Sequence, residues 1–463
     1  MHITETENTV ENIAANLPHD PFFNDLIEKQ YGRLAKNGQV YLDYTGGNLY
    51  AQSQIDQHFE LLKSNVLGNP HSTNPTSKMS TELVEASRAK VLDYFKASDY
   101  FCVFTQNASA SLKIIGETYP FCQDSALLLL ADNHNSVNGI REFSSKKNGS
   151  FEYCPIQYED LRINETELTG YLNGEENCAN KLFAFPAQSN VSGVQHDLGW
   201  IEKAHAKGWD VLLDAAAFVP TSQLDLSVVK PDFVSISFYK IFGYPTGIGC
   251  LLIRKDKFPK LSKPWFAGGT VTMVAVKTQN HFLIPNHERF EDGTLNYLDL
   301  PAIKIGLEYI ESIGIPKIKE RVKGLSMYLC ESLKTIVHAN GKPVIQLFGP
   351  EDREGTGGTI IMNFFNSKGE SYFFEAIEAK ANLQKISIRS GCFCNPGIDE
   401  INSCVTTEEL VKYFSSRDAG GHYDMLEFLN KMRGAIRVSV GIATSKKDVD
   451  TFISFVRGLC EEG

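Results

Sequence analysis

The sequence predicts an α/β fold, with a mostly parallel sheet sandwiched by helices and a smaller α+β unit joined to it. Three observations predict it. Short apolar runs recur between residues 101 and 253, each the length of a buried strand. Helix-length amphipathic stretches separate several of them. After Leu300 the texture changes to long helical periods followed by isolated strand-like runs.

The elements follow in order. The stretch to about Asn37 reads as helical and gives an N-terminal segment, residues 1–40. A large unit, residues 41–300, carries the runs Phe101–Phe104, Ala126–Leu130, Leu182–Phe185, Val211–Leu213, Phe233–Ile236 and Gly249–Ile253. Ala108–Glu117 and Gly199–Lys207 read as helices between them. A small C-terminal unit, residues 301–463, begins with helices over Ala302–Ile313 and Ile318–Leu333. Strands over Val344–Phe348 and Thr359–Phe364 and a helix over Ser371–Glu378 follow. The polar, acidic stretch Asp399–Asp424 reads as an insertion or mobile loop.

Composition narrows the function classes. At 463 residues the chain is too long for one ordinary unit. Hydrophobic residues at 42% and charged residues at 22% are those of a globular chain. A net charge of -11, with no basic stripe, argues against nucleic acid as a partner. No apolar run approaches the ~20 residues that cross a bilayer, so no membrane partner is expected. The polar, acidic start from Met1 to Glu11 carries no targeting signal, and the ten cysteines are scattered. Reduced thiols in a cytoplasmic protein are therefore expected.

In open α/β sheets, ligands bind beyond the carboxyl ends of the strands. There the sequence places Thr105-Gln106-Asn107-Ala108-Ser109 at the mouth of a helix, a cradle for an anion. Asp132-Asn133-His134, Gln188-Ser189-Asn190, Asp214 and Ser237-Phe238-Tyr239-Lys240 stand beyond the next strands. Singly, each is commonplace: an Asp after a strand is often a helix cap, and a Lys there is often solvated. Together they are the set that pyridoxal 5'-phosphate (PLP) needs. A Lys carries the Schiff base, a carboxylate keeps the pyridine nitrogen protonated, and a cradle holds the phosphate.

These residues resemble the class V aminotransferase and cysteine desulfurase family, with particular likeness to the N-terminal desulfurase domain of molybdenum cofactor sulfurases. The likeness rests on Tyr41-Leu42-Asp43-Tyr44, Gly68-Asn69-Pro70-His71-Ser72, Asp132-Asn133-His134, the stretch from Ser237 to Gly247, and the stretch from Arg389 to Gly397. The resemblance implies a fold-type I PLP-dependent transferase that converts L-cysteine, or a related amino acid, to alanine and a protein-bound persulfide. It implies that Lys240 carries PLP, Asp214 pairs with the pyridine nitrogen, His134 stacks on the ring and Asn190 faces the ring hydroxyl. Ala108, Ser109, Ser237 and Tyr239 would hold the phosphate, and Arg437 the substrate carboxylate. Thr294 would reach across a homodimer interface to the partner's phosphate. Tyr239 and Asn107 depart from the His and Gly of many relatives, and Ala217 from their Gln or His. Ending at Gly463, the chain is expected to lack the C-terminal domain of full sulfurases, so the sulfur-acceptor protein or cofactor stays unassigned.

The motif Cys392-Phe393-Cys394 has other readings. With Cys404 it lacks the Cys-x₂-Cys spacing of a zinc site, and no metal is expected. A structural pair of thiols remains open. Beside Lys240, a nucleophilic Cys394 is favoured, with Arg389 as the nearby positive charge and Asn395-Pro396-Gly397 as a turn that lets the loop swing. A PLP-dependent lyase, epimerase or aminotransferase, and a silent partner of a sulfur-transfer protein, are the alternatives.

Overall fold

The computed structural model describes residues 21–175 and 178–460. The start of the expected N-terminal segment, residues 1–20, lies outside the described residues. Its remainder forms helices Pro21–Tyr31 and Arg33–Asn37, closed by Gly38 in the left-handed conformation. A short strand, β1 (Val40–Tyr41), follows.

The main sheet contains β2 (Tyr100–Thr105), β3 (Ser125–Leu130), β4 (Ser150–Cys154), β5 (Asn180–Pro186), β6 (Asp210–Asp214), β7 (Phe233–Ser237) and β8 (Gly249–Arg254). Their order is β2-β8-β7-β6-β5-β3-β4. Strand β8 alone is reversed, lying antiparallel between β2 and β7, so the sheet is mostly parallel as predicted. All of β3 is buried. Its Ala126, Leu128 and Leu130 enter one apolar core, and Leu127 and Leu129 the other. Burial on both faces is why this strand reads as an unbroken apolar run. Strand β4 was not predicted. It is an edge strand whose Ser150, Phe151 and Glu152 are exposed, so it has no apolar run to detect.

Two exposed strands, β9 (Val271–Val274) and β10 (His281–Leu283), form a hairpin. A second, antiparallel sheet has the order β11-β12-β15-β14, with β11 (Ile345–Phe348), β12 (Thr359–Phe364), β14 (Arg389–Gly391) and β15 (Ala435–Ser439). Strand β13 (Ile386–Ser387) pairs parallel to β1, and Asp43 bridges to Ser439. The residues after Asn37 are thereby stitched to the second sheet.

The stretch Asp399–Asp424 is not a loop. Most of it lies in helices Pro396–Asn402, Thr407–Ser415 and His422–Leu429, joined by short connections. The expected turn at Asn395-Pro396-Gly397 is a helix start: Asn395 Oδ1 accepts from Ile398 N and Pro396 stands at the first helical position. A capping box of Thr406 and Glu409 opens the next helix. These helices are too short to show a clear apolar period, which hid them from the sequence reading.

One buried ion pair ties the large sheet to the segment that carries Thr294. Arg88, on helix Pro75–Tyr94, donates to Glu291 Oε1 at 2.6 Å and Oε2 at 3.1 Å, and to Cys102 O at 2.6 Å. Glu291 Oε1 also accepts from Phe104 N at 2.7 Å. Both side chains are almost fully buried. Removing one partner leaves the other charge stranded in the interior. Arg88→Met should therefore lower stability by about 3–5 kcal/mol in urea unfolding, and a loss under about 1 kcal/mol would show that the pair is a solvated one.

Candidate active site

The carboxyl ends of the parallel strands converge on a cavity of about 310 Å³. From β2 the chain passes into helix Ala108–Thr118, capped by Asn107 Oδ1 accepting from Ala110 N at 3.0 Å. Ala108 N donates to Ser237 Oγ at 2.9 Å, which joins the ends of β2 and β7. Gly249 makes this junction possible, because a Cβ there would lie 2.5 Å from Ile236 O and 2.7 Å from Asn107 C. Ser109 and Ser136 add hydroxyls 2.6 Å apart. A helix N-terminus ringed by hydroxyls suits a phosphate.

The titratable groups on the wall are held in distinct states. Asp214 Oδ1 accepts from Ser235 Oγ at 2.9 Å and from Ala216 N at 3.1 Å, which fixes the carboxylate at the end of β6. His134 Nδ1 accepts from Ser136 N at 3.1 Å. Burial lowers the His134 pKa, with Asp214 opposing, so the ring is neutral near pH 7. Lys240 stands one turn past β7, partly accessible where it lines the cavity. Burial lowers its pKa, Asp214 opposes, and Arg437 and Arg389 add to the lowering.

Arg437, on β15, is buried beside this wall. Its Nη1 donates to Asn190 O at 2.8 Å and its Nη2 to Asp43 Oδ1 at 3.0 Å. Among the described residues its Nε has no hydrogen-bond partner. Arg389 forks onto the other oxygen, Asp43 Oδ2, at 2.9 and 2.6 Å. Arg389 thus pairs with Asp43 instead of serving the thiols.

The cysteine loop docks beside the site. Asn190 Nδ2 donates to Phe393 O at 2.8 Å, and Asn135 N donates to Cys394 O at 2.7 Å. The two thiols differ. Cys394 is exposed. Cys392 is partly buried, with its Sγ 3.6 Å from His422 Nδ1. Burial, reinforced by Asp399, pushes the Cys392 thiol up to about 12.

Of the sequence-predicted residues, Ala108, Ser109, His134, Asn190, Asp214, Ser237, Tyr239 and Lys240 line this one cavity. Arg437 lies behind Asn190. Cys394 sits on the loop docked against Asn190, and Thr294 is apart. Thr294 is exposed in a neighbouring depression that shares Asn107 and Gly247 with the cavity. Sequence reasoning assigned no role to Ser136, Thr246, Asp43 or Asn395. The motif Tyr41-Leu42-Asp43-Tyr44 was the available signal for Asp43. The residues present fit PLP: a phosphate cradle, a fixed carboxylate and a lysine of lowered pKa.

Residues 40–452 match the family model described as Aminotransferase class-V. The chain belongs to this family. It is 36% identical over 459 residues to the molybdenum cofactor sulfurase of Bos taurus, covering 94% of this chain and 51% of that protein. It is 35% identical to the molybdenum cofactor sulfurase of Arabidopsis thaliana, covering 93% and 57%. The chain thus spans about half the length of the curated relatives it matches. The apo structure of a cysteine desulfurase from Thermococcus onnurineus NA1 superposes with a TM-score of 0.79 at 22% identity, covering 95% of this chain and 98% of that one. This likeness establishes the shared fold of the class-V chain, a fold-type I architecture.

The lowered pKa of Lys240 gives a stability test on the apo protein. The folded chain binds fewer protons than the unfolded one below the ordinary Lys value, so this group disfavours folding most at low pH. That penalty fades as pH rises through the folded pKa toward about 10.4. Lys240→Met should be more stable than wild type near neutral pH, with the gap shrinking toward about pH 10. A gap in the urea midpoint that stays constant or widens with pH would contradict the assignment.

Proposed function

We propose that this chain is a PLP-dependent cysteine desulfurase that moves the sulfur of L-cysteine onto Cys394. The observation that carries the reading is an exposed cysteine on a loop hydrogen-bonded to the wall of a lysine–aspartate cavity. An aminotransferase or lyase needs the cavity but has no use for the docked thiol.

Bound in the cavity, PLP would supply an electron sink that weakens the bonds at the substrate's Cα and Cβ. The helix N-terminus at Ala108, with Ser109, Ser237 and Tyr239, would hold its phosphate, and Asp214 its pyridine nitrogen. Arg437, behind Asn190, would supply the guanidinium for the substrate carboxylate. Lys240, with its lowered pKa, takes a proton from Cα and returns protons to the product. Cys394 attacks the substrate sulfur as a thiolate. The Cβ–S bond breaks, the S–S bond of a persulfide forms, and Cβ gains a proton. Cysteine leaves as alanine, with no outside oxidant or reductant. Cys392, held protonated, is unsuited to the attack.

The proposal extends to a homodimer in the cytoplasm. Thr294 is exposed beside the cavity, and the β9–β10 hairpin presents Met273, Val274 and Phe282 to solvent. Among the described residues no helix is long and apolar enough to cross a membrane. The sulfur acceptor is a protein or cofactor outside this chain.

With PLP and L-cysteine, the wild type should release alanine and carry a persulfide. Cys394→Ser should keep the cofactor and bind cysteine, yet form persulfide at least about a hundredfold more slowly. Pyruvate or another keto acid in place of alanine would move the chain to the lyase or aminotransferase class. The PLP-loaded protein should sediment as a dimer; a fully active monomer would remove Thr294 from the site.

A further inference from the structure

A buried amide anchors the end of the cysteine loop. Asn395 is fully buried. Its Nδ2 donates to Asp132 Oδ1 at 2.8 Å and to Asn190 Oδ1 at 3.1 Å, with Asp132 O at 3.3 Å. Its Oδ1 accepts from Ile398 N, and its backbone N donates to Cys392 O at 3.0 Å. Asp132 is itself locked: Oδ1 accepts from Ser189 Oγ at 2.7 Å, and Oδ2 lies 3.0 Å from His196 Nε2. Asn190 then returns to the loop through Phe393 O. The helix that follows is pressed against the end of β3, where a Cβ on Gly397 would fall 2.0 Å from Ala131 O.

The geometry points to Asn395 as the positioning residue for Cys394: a latch that docks the sulfur-accepting loop onto the cavity wall through Asp132 and Asn190. The latch rests on the desulfurase reading for its catalytic consequence. Its structural content stands without it. Only an amide serves here, because Asn395 gives protons to two acceptors through Nδ2 while Oδ1 caps the next helix. The loop needs such a hold. Phe393 and Cys394 both have φ near 54°, a region that L side chains rarely adopt, and only neighbouring contacts keep them there.

Hydrogen exchange on the apo protein tests the latch. In the wild type the amides of Asn395, Ile398 and Asn135, which donate to Cys392 O, Asn395 Oδ1 and Cys394 O, should be protected. Asn395→Ala, and Asn395→Asp, which keeps the shape but turns donor into acceptor, should speed their exchange by about tenfold or more, while the amides of β3 and β6 stay unchanged. In the PLP-loaded protein, alanine and Cys394 persulfide should fall together by about tenfold in kcat, with cysteine affinity within about twofold. A loop that exchanges in the wild type as fast as an unstructured segment overturns the latch without any variant. So do variants that fold and leave both exchange and turnover unchanged. If the wild type releases no alanine, the desulfurase reading fails, and the exchange data still decide the latch.

Discussion

One carboxylate between two guanidiniums ties the second sheet to the chain beside the cavity. Asp43 gives Oδ1 to Arg437 and Oδ2 to Arg389. Arg437 is almost fully buried, and a buried charge without a partner is strongly destabilising. Asp43 therefore has to be where it is, and the chain around it is shaped to permit this. Gly46 has no side chain because a Cβ there would lie 2.5 Å from Asp43 Oδ2 and 2.7 Å from Arg389 Nη2. The arrangement draws β14, β15 and the segment after β1 together. Two cations against one anion also leave a positive excess beside the cavity wall.

The cavity groups were legible in the sequence for a topological reason. In a parallel sheet every forward crossover returns to the same edge, so residues just past successive apolar runs must meet. His134, Asn190, Asp214 and Lys240 were readable in this way, and so was the helix mouth at Ala108 and Ser109. Their roles came from family resemblance, since strand ends alone do not distinguish a cap from a catalyst. The pairings of Asp43, Asn395 and Asp132 escaped because their partners are far along the chain. Asp43 meets Arg437 across 394 positions, and Asn395 meets Asp132 across 263. No local period records such a pairing. Strand β4 escaped through exposure, and the helices after Asn395 through brevity.

Two cysteines separated by one residue have been made chemically unlike. The left-handed turn at Phe393 and Cys394 sends the second thiol outward. The first is covered by the helices that the polar stretch 396–429 forms. Arg433 pairs with Asp399, which fixes helix Pro396–Asn402, and His422 reaches to within 3.6 Å of Cys392 Sγ. Burial beside Asp399 keeps that thiol protonated, so the difference between the two follows from the cover and not from the motif.

The energetics of the loop are close to balance. Two consecutive non-glycine residues in the left-handed region cost about 1–2 kcal/mol each. Against this stand the bonds to Phe393 O and Cys394 O and those of the Asn395 side chain, each contributing about 0.5–1.5 kcal/mol net. The opposing terms are of the same size, so the docked loop is favoured by only a few kcal/mol. Glycines at 393 and 394 would relieve the strain, but they would also widen the ensemble of the undocked loop, so the strained side chains restrict the loop's freedom on both sides of the equilibrium.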